Sequence, residues 1–263
     1  MIEVAARVPP PRFLRELRAF GAAVCFLTRL PLGRLLTVDE DDLARAGATF
    51  PIVGAAIGAL MGAVALLLLH PLGGWLAAVL ALAAATLLTG ALHVDALADS
   101  ADALSARTRE RALEIMRDHA IGSYGAVAIA LDLLVKAGAL RTLASHHDVL
   151  RTAVAAGALS RAAPVLLAAA LPYARAETGL GAPFTQGSRA RAAIAAVFGV
   201  GIAVAIAGAH GAIAAGIAAA VVVSVATCYQ RWLGGVTGDT LGAAVELTEI
   251  AVFLTAVGLM GVQ

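Results

Sequence analysis

Charge and aromatic side chains are both scarce in this 263-residue chain, at 14% and 5%. A soluble domain carries about 25% charged residues, so the polar groups here are too few to cover a water-soluble globule. Disorder is excluded on the same ground, because it needs low hydrophobicity and high net charge, whereas 60% of these residues are hydrophobic. A net charge of +1 provides no basic excess to bind nucleic acid. Cysteine is nearly absent: Cys25 and Cys228 lie far apart beside apolar runs, and they read as reduced packing residues without disulfide or metal spacing. The first 20 residues hold Arg7, Arg12, Arg15 and Arg18 around Pro9, Pro10 and Pro11. That pattern lacks the apolar core and small-residue cleavage site of a signal peptide. What the chain does have is long apolar runs, 27 glycines and a mean hydropathy of +0.88. These imply a polytopic membrane protein whose helices approach closely through small residues.

A hydrocarbon core about 30 Å thick takes roughly 20 apolar residues as helix. Seven runs qualify: 50–69, 74–92, 120–140, 150–171, 192–209, 211–230 and 240–262. Residues 12–28 read as an interfacial amphipathic helix, with an eighth span as the alternative. The expected architecture is therefore all-α, a helical bundle of about seven transmembrane helices plus an N-terminal amphipathic helix. Residues 1–263 form a single integral-membrane domain. With the N-terminus inside, every Lys and Arg except Lys136, Arg141, Arg151 and Arg161 falls on cytoplasmic segments, as the positive-inside rule requires. Gly54, Gly58 and Gly62 recur every four residues, which predicts close helix packing within the chain, the alternative being a homo-oligomer interface.

Ionisable groups at membrane depth are costly and call for a partner or a task. The densest group is His93-Val94-Asp95-Ala96-Leu97-Ala98-Asp99-Ser100-Ala101-Asp102. At about 100° per residue, Asp99 lies about 40° from Asp95 and Asp102 about 20° to its other side. Three carboxylates on one stripe repel unless a cation intervenes. Oxygen ligands suit Mg²⁺ or Mn²⁺ rather than zinc, and Mg²⁺ on carboxylates most often serves a phosphate-bearing substrate. The alternative is a solvated acidic helix start. Arg107, Arg109, Arg111 and Arg117 follow as candidate phosphate partners. Then comes Asp118-His119-Ala120-Ile121-Gly122-Ser123-Tyr124-Gly125, where free amides at a helix start favour an anion.

A second polar group opens the last run: Gly234-Gly235-Val236-Thr237-Gly238-Asp239-Thr240-Leu241-Gly242, followed by Glu246 and Glu249. Glu246 lies about −20° and Glu249 about −80° from Asp239, so these acids share a face. Arg161 is the cation available to meet them, and an Arg161–Glu246 pair is the bland reading of that face. Asp132 and Lys136, four apart, neutralise each other or leave Lys136 for substrate.

Together these motifs resemble the adenosylcobinamide-GDP ribazoletransferase family, the cobalamin synthases. The resemblance rests on His93-x-Asp95-x-Leu97-x-Asp99-x-x-Asp102, Ile121-Gly122-Ser123-Tyr124-Gly125, and Gly235-x-Thr237-Gly238-Asp239-x-Leu241-Gly242-Ala243 with Glu246 and Glu249. Phe26-Leu27-Thr28-Arg29-Leu30-Pro31 and Phe50-Pro51-x-x-Gly54 also fit. Family members usually carry glycine after the first and third aspartates, where this chain has Ala96 and Ala103. The resemblance implies that α-ribazole, or its 5′-phosphate, attacks adenosylcobinamide-GDP, releasing GMP and forming cobalamin or its 5′-phosphate. It implies catalytic roles for Asp95, Asp99, Asp102 and Asp239, with Mg²⁺ on the first three. Substrate contacts are expected from His93, Arg117, Asp118, Ser123, Lys136, Arg161, Thr237 and Glu246. The setting implied is the bacterial cytoplasmic membrane with the site facing the cytoplasm, and no nucleic-acid partner. Two rival readings are a CDP-alcohol phosphotransferase, whose Asp-x-x-Asp-Gly-x-x-Ala-Arg pattern is missing, and a secondary transporter, whose internal duplication is missing.

Overall fold

The computed structural model describes residues 11–31, 40–118, 120–146, 148–175, 185 and 187–261. Of the residues singled out above, Arg7, Pro9, Pro10 and His119 lie outside these. Among the described residues there is no strand, only an isolated bridge between Tyr173 and Val236. The helices are α1 (Arg12–Leu27), α2 (Glu40–Ala46), α3 (Phe50–Thr89), α4 (Leu92–Asp102), α5 (Arg109–Ile115), α6 (Ser123–Ser145), α7 (Val149–Ala170), α8 (Arg189–Leu233) and α9 (Gly238–Leu259).

Among the described residues, four stretches are long and apolar enough to cross a membrane: Asp41–Thr89, Val149–Ala170, Arg189–Leu233 and Gly238–Leu259. The first and third hold 49 and 45 residues, about twice what one crossing needs. Each contains one residue with non-helical dihedrals, Gly73 (φ 77°, ψ 161°) in α3 and Gly208 (φ 56°, ψ −129°) in α8. Positive φ is open to glycine at little steric cost. The two expected pairs of runs are thus continuous helices interrupted at single glycines, and the turn expected near residue 210 sits at Gly208. The second run also stops earlier than expected, at Thr89, because Gly90 and Ala91 both adopt left-handed dihedrals before α4 begins. Helix α6 carries Asp132, Lys136 and Arg141, and is less apolar than the four stretches. Helix α1 has 16 residues, about 24 Å at 1.5 Å per residue.

Helix α7 is the axis of the molecule, packed against α3, α8 and α9. Small residues make that possible. A Cβ added at Gly54 would lie 2.1 Å from the carbonyl oxygen of Gly157, and one at Gly58 2.0 Å from that of Ala153. The Gly54/Gly58/Gly62 face is therefore buried against α7 of the same chain. Around this contact lies an apolar core that includes Met61, Ala65, Leu140, Leu143, Ala153, Ala156 and Phe253. Outward faces are apolar as well: Leu67, Leu87, Val127, Leu131, Val197 and Val223 are all more than half exposed. Water tolerates large contiguous apolar patches poorly, whereas lipid accommodates them.

Candidate active site

Helix α4 presents the acidic stripe, but its carboxylates meet different surroundings. Asp95 is exposed, Asp99 is half-buried and Asp102 is buried. Asp102 accepts hydrogen bonds from the backbone amides of Gly122 (2.7 Å) and Gly125 (2.8 Å). Those amides belong to the cap and first turn of α6, whose free N–H groups favour a negative charge. The glycines are needed there, since a Cβ at either would come within 2.4 Å of the Asp102 carboxylate. The anion drawn to the Gly122–Gly125 amides is thus a side chain of the protein itself. Among the described residues, no three His, Cys, Asp or Glu side chains converge on one metal position.

The second motif folds back onto α4. Thr237 caps α9 by accepting from the amide of Thr240, whose hydroxyl accepts from the amide of Thr237 in return. Gly235 fits against the segment after α7, where an added Cβ would fall 2.2 Å from the carbonyl oxygen of Pro172. That contact lets Ala174 donate to the Val236 carbonyl and Val236 to that of Pro172. It also brings Arg175 beside Asp239, with Nη2 2.7 Å from Oδ2, while the Thr237 hydroxyl reaches the same oxygen at 3.3 Å. Arg175 Nε is buried without a hydrogen-bond partner among the described residues. Helix α9 also packs tightly on α4, because a Cβ at Gly242 would lie 2.4 Å from that of Ala96. The close approach that Ala96 denies on α4 is supplied by Gly242 on α9.

Between these elements lies a cavity of ≈ 240 Å³. Asp95, His93, Asp239, Arg175 and Tyr173 supply its polar wall, and Phe26, Leu27, Phe50, Val165, Leu241 and Val245 much of the apolar remainder. Burial pushes the Tyr173 phenol above its ordinary value. Phe26 and Phe50 stack at 5.7 Å, so both early motifs meet at this wall. Of the expected site residues, Asp95, His93 and Asp239 line the cavity. Asp99 and Asp102 do not.

Lys136, Arg161 and Glu246 are also absent from the cavity wall; they are buried in a separate network. Lys136 Nζ lies 3.0 Å from Asp132 and 3.0 Å from Glu249, and it also pairs with Glu246. Arg161 pairs with Glu249 and hydrogen-bonds Ser160 at 2.8 Å. The anticipated Arg161–Glu246 pair is therefore replaced: Arg161 faces Glu249, one helical turn further along α9, and Glu246 faces Lys136. The Asp132–Lys136 contact forms as one edge of this larger network. Arg117, Asp118 and Ser123 lie on the exposed approach to α6, where Asp118 accepts from the amide of Ala120. Arg109 is tied to the carbonyls of Leu233 and Ala174, both at 2.6 Å, and Arg111 pairs with Glu114.

Sequence reasoning missed Arg175 and Tyr173 as site residues. Their position depends on the contact of Gly235 with Pro172, and no local pattern encodes it.

The chain matches the family described as cobalamin-5-phosphate synthase over residues 19–257. It is 40% identical over 244 residues to the adenosylcobinamide-GDP ribazoletransferase of Klebsiella pneumoniae (strain 342), covering 90% of this chain and 98% of the relative. It is 39% identical over 248 residues to the enzyme of that name from Escherichia coli (strain K12), covering 91% and 98%. No solved structure matches.

Proposed function

The chain belongs to the cobalamin-5-phosphate synthase family, and from that premise we propose that it joins α-ribazole, or its 5′-phosphate, to adenosylcobinamide-GDP at the cavity between α4 and α9. Membership of this family sets aside the lipid-headgroup and transporter readings. The observation that carries the assignment is the meeting of Asp95 and Asp239, far apart in sequence, on the wall of one cavity.

In the reaction, a ribose hydroxyl oxygen forms a bond to the cobinamide-linked phosphorus, the bond to the GMP oxygen breaks, and the hydroxyl proton must be accepted. We assign that role to Asp239, whose carboxylate is held by Arg175 and Thr237. Arg175, paired with Asp239 on the cavity wall, supplies positive charge near the reacting phosphate. Positioning and charge neutralisation supply most of the catalysis in such a transfer.

The donor set fits Mg²⁺. Asp95 and Asp99, one turn apart and both reachable by solvent, provide hard oxygen ligands. Mg²⁺ is commonly held by one or two carboxylates, with water and substrate phosphate completing the shell. Asp102 then positions the stripe through its grip on α6. When bound, Mg²⁺ would neutralise charge on the diphosphate.

Seven crossings follow if α3 and α8 each cross twice, turning at Gly73 and Gly208. The arginine distribution supports an N-terminus and a cavity mouth on the cytoplasmic side of a bacterial inner membrane. The test of function is incubation of detergent-purified protein with adenosylcobinamide-GDP and α-ribazole, with and without Mg²⁺. GMP and a complete corrinoid should appear only when both substrates and the metal are present. Absence of GMP under all these conditions would overturn the reading.

A further inference from the structure

The cavity is chemically two-sided. Asp95 is exposed and marks the mouth, and Asp239 is paired with Arg175. The buried Leu27, Phe50, Leu241 and Val245 line the cavity beside the buried His93, and the rings of Phe26 and Phe50, stacked on each other, belong to the same wall. We propose that this apolar end is the acceptor-base pocket: it takes the flat, uncharged heteroaromatic base of the ribazole nucleoside and leaves the corrin and the guanine nucleotide at the mouth. The proposal rests on the transferase reading above and adds which substrate fills the cavity.

Three physical arguments select that occupant. The first is size. A volume of ≈ 240 Å³ has room for a bicyclic ring system comparable to a tryptophan side chain. The second is charge. A diphosphate drawn into the interior would lose its hydration among leucine, valine and phenylalanine, with one arginine already paired to Asp239. Burying unpaired charge in apolar surroundings is heavily disfavoured, whereas a neutral aromatic base gains from burial and from offset or edge contacts with Phe26 and Phe50. The third is placement. A base seated in the interior puts its ribose next to the carboxylates at the polar wall, where the hydroxyl has to lose its proton.

The experiment narrows the pocket and then offers it a smaller base. Leu92 lines the cavity and is part-buried, so Leu92→Phe fills space without disturbing the deep core. KM for α-ribazole should rise roughly tenfold or more, the scale set by one methylene-sized mismatch in an apolar pocket. KM for adenosylcobinamide-GDP should stay within about twofold, as expected when only acceptor binding is lost. A benzimidazole riboside lacking the ring methyl groups should recover most of the lost efficiency in Leu92→Phe, which damage to the fold would not allow. Equilibrium dialysis of α-ribazole against purified wild type and Leu92→Phe reads the pocket without turnover. Wild-type binding that falls roughly tenfold in the variant supports the pocket even where transfer fails. Equal KM rises for both substrates, a rise confined to the donor, or no preference for the smaller base overturns the proposal. So does ring-independent competition by an acyl chain, which would make the cavity a lipid site.

Discussion

At the scale of single residues, the aspartates of α4 divide by what surrounds them. Asp102 has both oxygens engaged by amides at the start of α6, whereas Asp95 faces the cavity. Asp102→Ala should therefore act on stability, removing two charge-assisted hydrogen bonds and costing about 1–3 kcal/mol. Asp95→Ala should leave stability nearly unchanged and reduce turnover by roughly 10²-fold, about 2.7 kcal/mol. Thermal unfolding in detergent, measured beside GMP release, separates the two. Full stability in Asp102→Ala would show that the cap is dispensable. The spacing 95-99-102 makes the shared stripe legible from sequence, since helical geometry alone fixes it. It does not disclose that one member points at backbone amides twenty residues onward, because that depends on where α6 begins. Arg175 was illegible for the same kind of reason: its partner lies across a loop contact.

At the scale of elements, apolar length and glycine spacing carried most of the information. Among the described residues helices fall within each expected run, four stretches are long and apolar enough to cross a membrane, and the Gly54/Gly58/Gly62 stripe is the α7 contact. The breaks were harder to see. Gly73 and Gly208 each turn the backbone through one residue of positive φ, and a glycine at such a point looks like the many glycines that serve packing. Gly58→Val tests the packing claim, because its Cβ would fall 2.0 Å from the Ala153 carbonyl oxygen. Backbone cannot yield as a flexible side chain does, so the helices must separate. The expected loss is about 1–3 kcal/mol, read as a lower unfolding temperature. Gly201→Ala is the control, since nothing lies within 4 Å of a Cβ there. Equal stability of the two variants would contradict the contact.

At the scale of the whole molecule, the account requires the cavity mouth to face the compartment that supplies soluble nucleotides. Cys25 and Cys228 are free, so labelling starts from a chain in which both are replaced. Cysteines at Ser105 and Ser188 should react only with reagents that reach the cytoplasm, and one at His70 only with reagents outside. Labelling at Ser105 from the outside would invert the topology. The expected sidedness rests on arginines clustering on alternate segments, and the labelling decides it. The pairing partners of Lys136 and Arg161 were not legible, because which acids of α9 meet which cation depends on the rotation of packed helices.

The central claim is that Asp95 and Asp239 face one reacting phosphate across the cavity. Its most direct test is single-turnover GMP release by well-folded Asp239→Asn, measured together with binding of adenosylcobinamide-GDP. The account predicts that release falls by at least roughly 10²-fold, the usual scale for losing a proton acceptor, while donor binding is retained. Normal release from that variant would contradict it.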